Sequence, residues 1–229
     1  MSEEGKRAVA AAVAAEARAF EMIGVGTGTT VDRVLEALTK DRGRIKTVVA
    51  TSYVTARAAS QAGLKVCDLE VSDRLPFGFD GADRILTDTG EAIKGGGAAL
   101  ADEAAMALLC DRYILAVDES KVATSLGGAG HAIPFEVDRA FLRVVEKELH
   151  DLGASSVTLR RGTGSHDPVT TRRGNFVLDV QFPEISAPKA VLAKAIPGVM
   201  FVGYWPSKWT DEVWVGYKDG TVTRVGRKT

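Results

Sequence analysis

Val9, Val13, Ala17 and Phe20 recur at helical spacing, so the segment from about Glu4 to Phe20 is expected to form a helix with one apolar stripe. A short apolar strand follows at Glu21 to Val25. After the glycine loop Gly26 to Thr30, the positions Val31, Val34, Leu35 and Leu38 mark the buried face of a second helix. The order repeats, with a strand at Ile45 to Ala50, a cap at Thr51-Ser52, a helix to Gln61 and a strand at Leu64 to Leu69. Pro76 to Phe79 then leads into Asp80-Gly81-Ala82-Asp83. Ala98 to Cys110 reads as a helix, and Tyr113 to Val117 as a strongly apolar strand. Strands alternating with helices imply an α/β unit built on a mostly parallel sheet.

After Leu126 the pattern changes. Gly127-Gly128-Ala129-Gly130 breaks the chain, and Ile133 to Val137 begins a new strand. A helix at Arg139 to Leu152, strands at Val157 to Arg160 and Asn175 to Phe182, and a helix at Ala187 to Ile196 make a smaller α+β unit. A last strand, Val199 to Tyr204, and the run Glu212 to Val225 with its Asp219-Gly220 turn are expected to return to the first sheet. The chain therefore divides into residues 1–127 plus 200–229 and residues 128–199.

Composition narrows the classes. With 229 residues, 45% hydrophobic and 26% charged, the chain can bury one main core and a satellite. A formal net charge of −1, with acids and bases interspersed, offers no basic surface to a nucleic acid. No apolar run approaches the ~20 residues that span a bilayer, and Ser2-Glu3-Glu4 is not the basic start of a leader. Cys67 and Cys110 have no CxxC spacing and read as small buried thiols in a reducing cytoplasm. His131, His150 and His166 have no metal-ligand spacing, and serine hydrolase and kinase signatures are missing, so no metal site is assigned.

The chemistry concentrates at strand ends. Lys94-Gly95-Gly96-Gly97 closely follows Asp80-Gly81-Ala82-Asp83, placing carboxylates and an ammonium beside backbone that lacks Cβ atoms, a loop suited to a polar small molecule. Gly24 to Thr30 brings Thr27, Gly28, Thr29 and Thr30 to a helix N-terminus, where free N–H groups favour an anion such as phosphate. The plain alternative is a tight turn capped by Thr29 or Thr30. The spacing is not G-x-G-x-x-G, and Lys46 and Thr47 stand where a ribose-binding acid would serve a dinucleotide, which makes a dehydrogenase the weakest option. Lys6 and Lys121 would add positive charge if both meet at the sheet's carboxyl edge. Alone, each would be a solvated lysine, Asp80 and Asp83 would be turn formers, and Glu103 a solvated helix glutamate. Trp205, Trp209 and Trp214, with Tyr204 and Tyr217, suit core packing or a subunit contact.

In this order, Gly24 to Thr30, Asp80 to Asp83, Lys94 to Leu100, Asp118 to Lys121, Pro134 to Val137 and Ala195 to Val199 resemble the type A ribose-5-phosphate isomerases over nearly the whole chain. The resemblance implies a Rossmann-like domain with a small α+β domain, in a homodimer or a dimer of dimers. It also implies interconversion of ribose 5-phosphate and ribulose 5-phosphate through an enediolate, in the non-oxidative pentose phosphate pathway and without metal or organic cofactor. Glu103 then matches the catalytic base, while Lys94 with Gly95, Gly96 and Gly97 would stabilise the developing oxyanion. Asp80 and Asp83 match the acids that handle the sugar hydroxyls and ring opening. Thr27, Gly28, Thr29, Thr30, Lys6 and Lys121 match the phosphate and substrate contacts. Arg84 stands where the family usually has glutamate, Ala101-Asp102 where it has Thr-Arg, and Ala104 where lysine is frequent. The segment Gly162 to Arg173 is longer and more basic than the usual turn. Two other readings stay open, an isomerase of another short phosphorylated sugar and a non-catalytic sugar-phosphate sensor.

Overall fold

A computed structural model describes residues 2–128, 131–164 and 166–226. Part of the 127–130 breaker, at Ala129 and Gly130, and Ser165 of the basic segment lie outside the described residues. The first half runs α1 (Glu3–Ala17), β1 (Met22–Val25), α2 (Thr29–Lys40), β2 (Thr47–Ala50), α3 (Tyr53–Gln61), β3 (Lys65–Cys67) and β4 (Gly78–Asp80). Two short strands follow, β5 (Arg84–Ile85) and β6 (Ala92–Ile93), then α4 (Leu100–Leu109) and β7 (Tyr113–Asp118). The remainder comprises β8 (Ile133–Val137), α5 (Leu142–Asp151), β9 (Ser156–Leu159), β10 (Phe176–Gln181) and α6 (Ala187–Lys194). It closes with β11 (Val199–Val202), β12 (Tyr204–Trp205), β13 (Glu212–Gly216) and β14 (Val222–Gly226).

The main sheet has the order β14-β13-β7-β4-β1-β2-β3, parallel throughout except for the antiparallel edge strand β14. Both faces are covered, as a parallel sheet requires. Val48, Ile114, Ala116 and Trp214 pack into a core with α1 and α2, while their neighbours Val49, Leu115, Val117 and Val215 pack on the opposite side with residues of α4. The stripe Val31, Val34, Leu35 and Leu38 is buried as its spacing predicts. From β1 the chain builds outward to β2 and β3, then returns to place β4 on β1's other side. This reversal opens a crevice at the carboxyl ends of β1 and β4, where the loops Gly26–Thr30 and Gly81–Asp83 emerge.

A four-stranded antiparallel sheet, β11-β8-β10-β9, carries its own core of Ile133, Phe135, Val137, Leu178 and Val180, closed by Val145 and Leu149 of α5 and by Ala190 and Ala193 of α6. A small sheet, β12-β6-β5, joins it to the parallel sheet's flank. Contrary to the expectation from its apolar run, Val199 to Tyr204 does not return to the first sheet. Val199–Val202 pairs with β8, because Val199 and Val202 fill the second core, and Tyr204-Trp205 pairs antiparallel with β6. The return to the parallel sheet is made by β13 and β14 alone.

Candidate active site

At the crevice, α2 begins with Gly28 as its N-cap, which supplies no side-chain cap. Thr29 and Thr30 are the first helical residues, so the turn capped by either threonine is not what forms. The first N–H groups of α2 are thus left facing the crevice with the positive end of the helix dipole. Thr27 Oγ1 hydrogen-bonds Thr51 Oγ1 at 2.9 Å, and Thr55 Oγ1 donates to Gly26 O at 2.9 Å, tying this wall to the start of α3. Lys6 is buried beneath it, its Nζ donating to Thr29 Oγ1 at 2.9 Å.

Across the crevice lies a buried ionic cluster. Lys94 Nζ donates to Asp80 Oδ2 at 2.8 Å and to Gly81 O at 2.6 Å, and it stands 3.2 Å from Glu103 Oε2. Asp80 Oδ1 accepts from the N–H groups of Thr27 and Gly81, at 2.9 and 2.7 Å. The carboxylate needs the missing side chain of Gly26, where a Cβ would lie 1.9 Å from Asp80 Cγ. Asp83, exposed three residues on, accepts from Gly96 N at 2.8 Å, and a Cβ on Gly96 would come within 2.5 Å of its Oδ1. The glycines are therefore required for close approach by carboxylates as well as by a ligand.

Lys94, Asp80 and Glu103 are 4%, 0% and 2% exposed, so their charges are strongly coupled. Burial pushes Glu103 up to about 8 against the pull of Lys94, and the charge on Asp80 adds to the rise. Burial also raises Asp80, opposed by Lys94 and by the N–H groups of Gly81 and Thr27. Burial works against the charge of Lys94, but Asp80 and Glu103 outweigh it and hold the ammonium above its ordinary value. Asp80 receives three hydrogen bonds, whereas Glu103 Oε2 is buried with none. Asp80 is thus the better compensated of the two carboxyls, and Glu103, pushed up to about 8, is the one with the fewer partners to hold its charge.

The crevice forms a cleft lined by Thr27, Gly28, Thr29, Thr30, Asp83, Lys94, Gly95, Gly96, Gly97, Glu103 and Lys121, with Gly81 and Ala82. Eleven residues singled out in the sequence thus share one cavity, and Lys6 and Asp80 lie behind its walls. Local reading missed four supports. Thr51 and Thr55 hold the hydroxyl wall, Trp205 lies under Lys94 with 5.2 Å from Nζ to the ring centroid, and Tyr113 stacks on Trp205. The clustered tryptophans were a signal, because an aromatic ring is a favourable neighbour for a buried ammonium. Trp205 and Trp214 are themselves buried core residues.

The family model for ribose 5-phosphate isomerase A (phosphoriboisomerase A) matches residues 47–220. The chain belongs to the ribose 5-phosphate isomerase A family. Ribose-5-phosphate isomerase A of Methanosarcina acetivorans is 33% identical over 228 residues, covering 97% of this chain and 94% of that protein. The ribose 5-phosphate isomerase A structure from Methanocaldococcus jannaschii superposes with a TM-score of 0.89 at 28% identity, covering 99% of this chain and 100% of the other. A D-ribose-5-phosphate isomerase structure in complex with phospho-erythronic acid gives 0.88 at 31% identity, covering 99% and 100%. Within this family framework, the departures in the sequence lie outside the cleft lining. Arg84 Nε donates to Ser125 O at 2.9 Å, Ala104 packs in the core, and buried Asp102 pairs with Arg173 at 2.8 Å. The basic segment thus supplies the arginine that balances the acid in α4.

Proposed function

We propose that this protein interconverts D-ribose 5-phosphate and D-ribulose 5-phosphate through an enediolate. The observation that carries the reading is Glu103, buried and pushed up to about 8, held 3.2 Å from Lys94 at the base of a cleft rimmed by glycine N–H groups and threonine hydroxyls. A base with this affinity takes the C2 proton of the open-chain sugar and returns it to C1 near neutral pH. Lys94 and the glycine-loop N–H groups offset the negative charge that develops on the sugar oxygen, an effect typically worth ~3–4 kcal/mol. Asp83, at the rim, handles the sugar hydroxyls and ring opening, and Asp80 acts with it by holding Lys94. The start of α2, with Thr27, Gly28, Thr29 and Thr30, takes the phosphate, with Lys121 beside it and Lys6 bracing Thr29. None of these steps calls on a metal or an organic cofactor.

The same reading takes residues 1–127 with the returning strands β13 and β14 as the catalytic unit and the antiparallel unit, to which β11 belongs, as the smaller one, in a cytoplasmic homodimer or dimer of dimers that binds no nucleic acid. The interspersed charge and net −1 support the last point. Among the described residues no helix is long and apolar enough to cross a membrane. Ribose 5-phosphate is favoured over another short sugar phosphate because Arg84, Ala101, Asp102 and Ala104 do not line the cleft.

A metal-free assay of ribulose 5-phosphate formation tests the proposal, with Glu103→Gln as the control for contaminating isomerase. Turnover should fall by about 10²–10⁴-fold in the variant while calorimetric binding of the sugar phosphate persists. Binding without any turnover by the unaltered protein would instead make it a sensor. Higher specificity constants for four- or six-carbon phosphates would reassign the substrate.

A further inference from the structure

Arg160 follows β9 in the antiparallel unit, 66 residues from Lys94 in sequence, yet it reaches the catalytic loop. Its Nη1 donates to Gly95 O and to Gly96 O, each at 3.0 Å. Its Nε donates to Asp179 Oδ2 at 2.8 Å, and its Nη2 binds the other oxygen of the same carboxylate. The side chain is 16% exposed, and Asp179 on β10 fixes the guanidinium plane as a two-point fork.

In a planar trans peptide, the C=O of one residue and the N–H of the next point in opposite directions. Anchoring Gly95 O on Arg160 therefore turns the Gly96 N–H away from Arg160, where it meets Asp83 Oδ2 at 2.8 Å. Anchoring Gly96 O does the same to the Gly97 N–H, and Gly97 lines the cleft. The loop's own Ala98 N–H also donates to Gly95 O at 3.0 Å, whereas three glycines leave little side-chain packing to orient the Gly96 carbonyl, which Arg160 holds. A cation on the carbonyl side also polarises each peptide and strengthens its N–H as a donor.

We propose that Arg160 is a positioning residue for the reaction, which holds the Gly96 N–H on Asp83 and sets the Gly97 N–H toward the oxyanion. The proposal rests on the function proposed above. It predicts a selective loss, in which recognition of negative charge at the reacting end weakens while recognition of the phosphate end does not.

The test compares two probes by calorimetry, phospho-erythronic acid, which carries a carboxylate at the reacting end, and ribitol 5-phosphate, which is neutral there. Arg160→Ala should weaken the acid by about tenfold or more and the polyol by less than about twofold, with kcat falling by a factor similar to the acid's. Arg160→Lys should restore part of the loss, since an ammonium supplies a charge without the fork. Asp179→Asn, which touches neither loop nor ligand, should shift the acid in the same direction by about threefold. If Arg160→Ala does not fold, Arg160→Lys and Asp179→Asn carry the comparison. Affinities calculated per folded site are not moved by a smaller folded fraction, so a merely structural role leaves both probes unchanged. Equal loss of both probes, or loss of neither, overturns the proposal. A protein that binds both probes but turns over no ribose 5-phosphate overturns the functional reading instead, and one that binds neither overturns both.

Discussion

The wall of the cleft after β1 consists of backbone and hydroxyls, with Gly28 and Thr29 exposed and the first N–H groups of α2 uncapped. The opposite side, after β4, consists of Asp80, Lys94 and Glu103, all nearly excluded from water. On the function proposed above, both sides meet an anion, but under different physical conditions. The first keeps its partial charges next to solvent, where an arriving phosphate exchanges one hydration shell for another. The second holds full charges in a medium that strengthens every interaction between them. On that reading, stabilising a charge that exists before binding and one that exists only during the reaction fall to separate sides. That separation suits differential binding, in which only interactions strengthened in the transition state raise kcat.

The sharpest way to break the comparison is Lys94→Met. It leaves Asp80 and Glu103 buried without their shared cation, so stability should fall by roughly 3–5 kcal/mol and turnover should be abolished in the assay. Urea denaturation at pH 7 checks the first effect. An unaltered midpoint would mean that the buried cluster is not held together by charge.

A second test uses pH. Folded Glu103 holds its proton up to about 8, above its ordinary value of 4.5. Between those values the folded chain binds more protons than the unfolded one, so this group makes stability fall as pH rises from about 4.5 through 8. Glu103→Gln removes that loss. Its stability relative to the unaltered protein should climb across the same window and level off above it, as read by denaturation at pH 5, 7 and 9. In the unaltered enzyme kcat/KM should rise as Glu103 ionises, through about 8. A flat stability difference would mean that Glu103 is ionised throughout.

How far the two sides were legible in the sequence differs for the same physical reason. The hydroxyl wall is local, since Gly26 to Thr30 are consecutive and the stripe from Val31 to Leu38 announces the helix behind them. The buried floor is assembled from distant segments. Asp80 and Asp83 looked equivalent, because nothing local says that Gly78 to Asp80 is a central strand ending under Lys94, while Asp83 emerges at the surface. Trp205 and Tyr113 reach the floor, and Arg160 reaches the glycine loop, only through the sheets that carry them. Sequence periodicity reports which face of an element is apolar but not which element it meets. The strand Val199 to Tyr204 failed for that reason, as its apolar run fits either sheet and only the second core distinguishes them.

The smallest effect belongs to the exposed wall. Thr29→Ala removes the hydroxyl that accepts from Lys6 at 2.9 Å but leaves the N–H groups of α2 and the dipole behind them. A single hydrogen bond beside solvent is worth about 0.5–1.5 kcal/mol, so KM for ribose 5-phosphate should rise about 2- to 10-fold. Because the phosphate carries the same charge in substrate and transition state, this interaction is uniform between them, and kcat should stay within about twofold. Initial-rate kinetics at saturating and limiting substrate separate the two quantities. A fall in kcat matching the rise in KM would show that the hydroxyl wall also sets the geometry of proton transfer, and that the two sides of the cleft do not divide binding from chemistry.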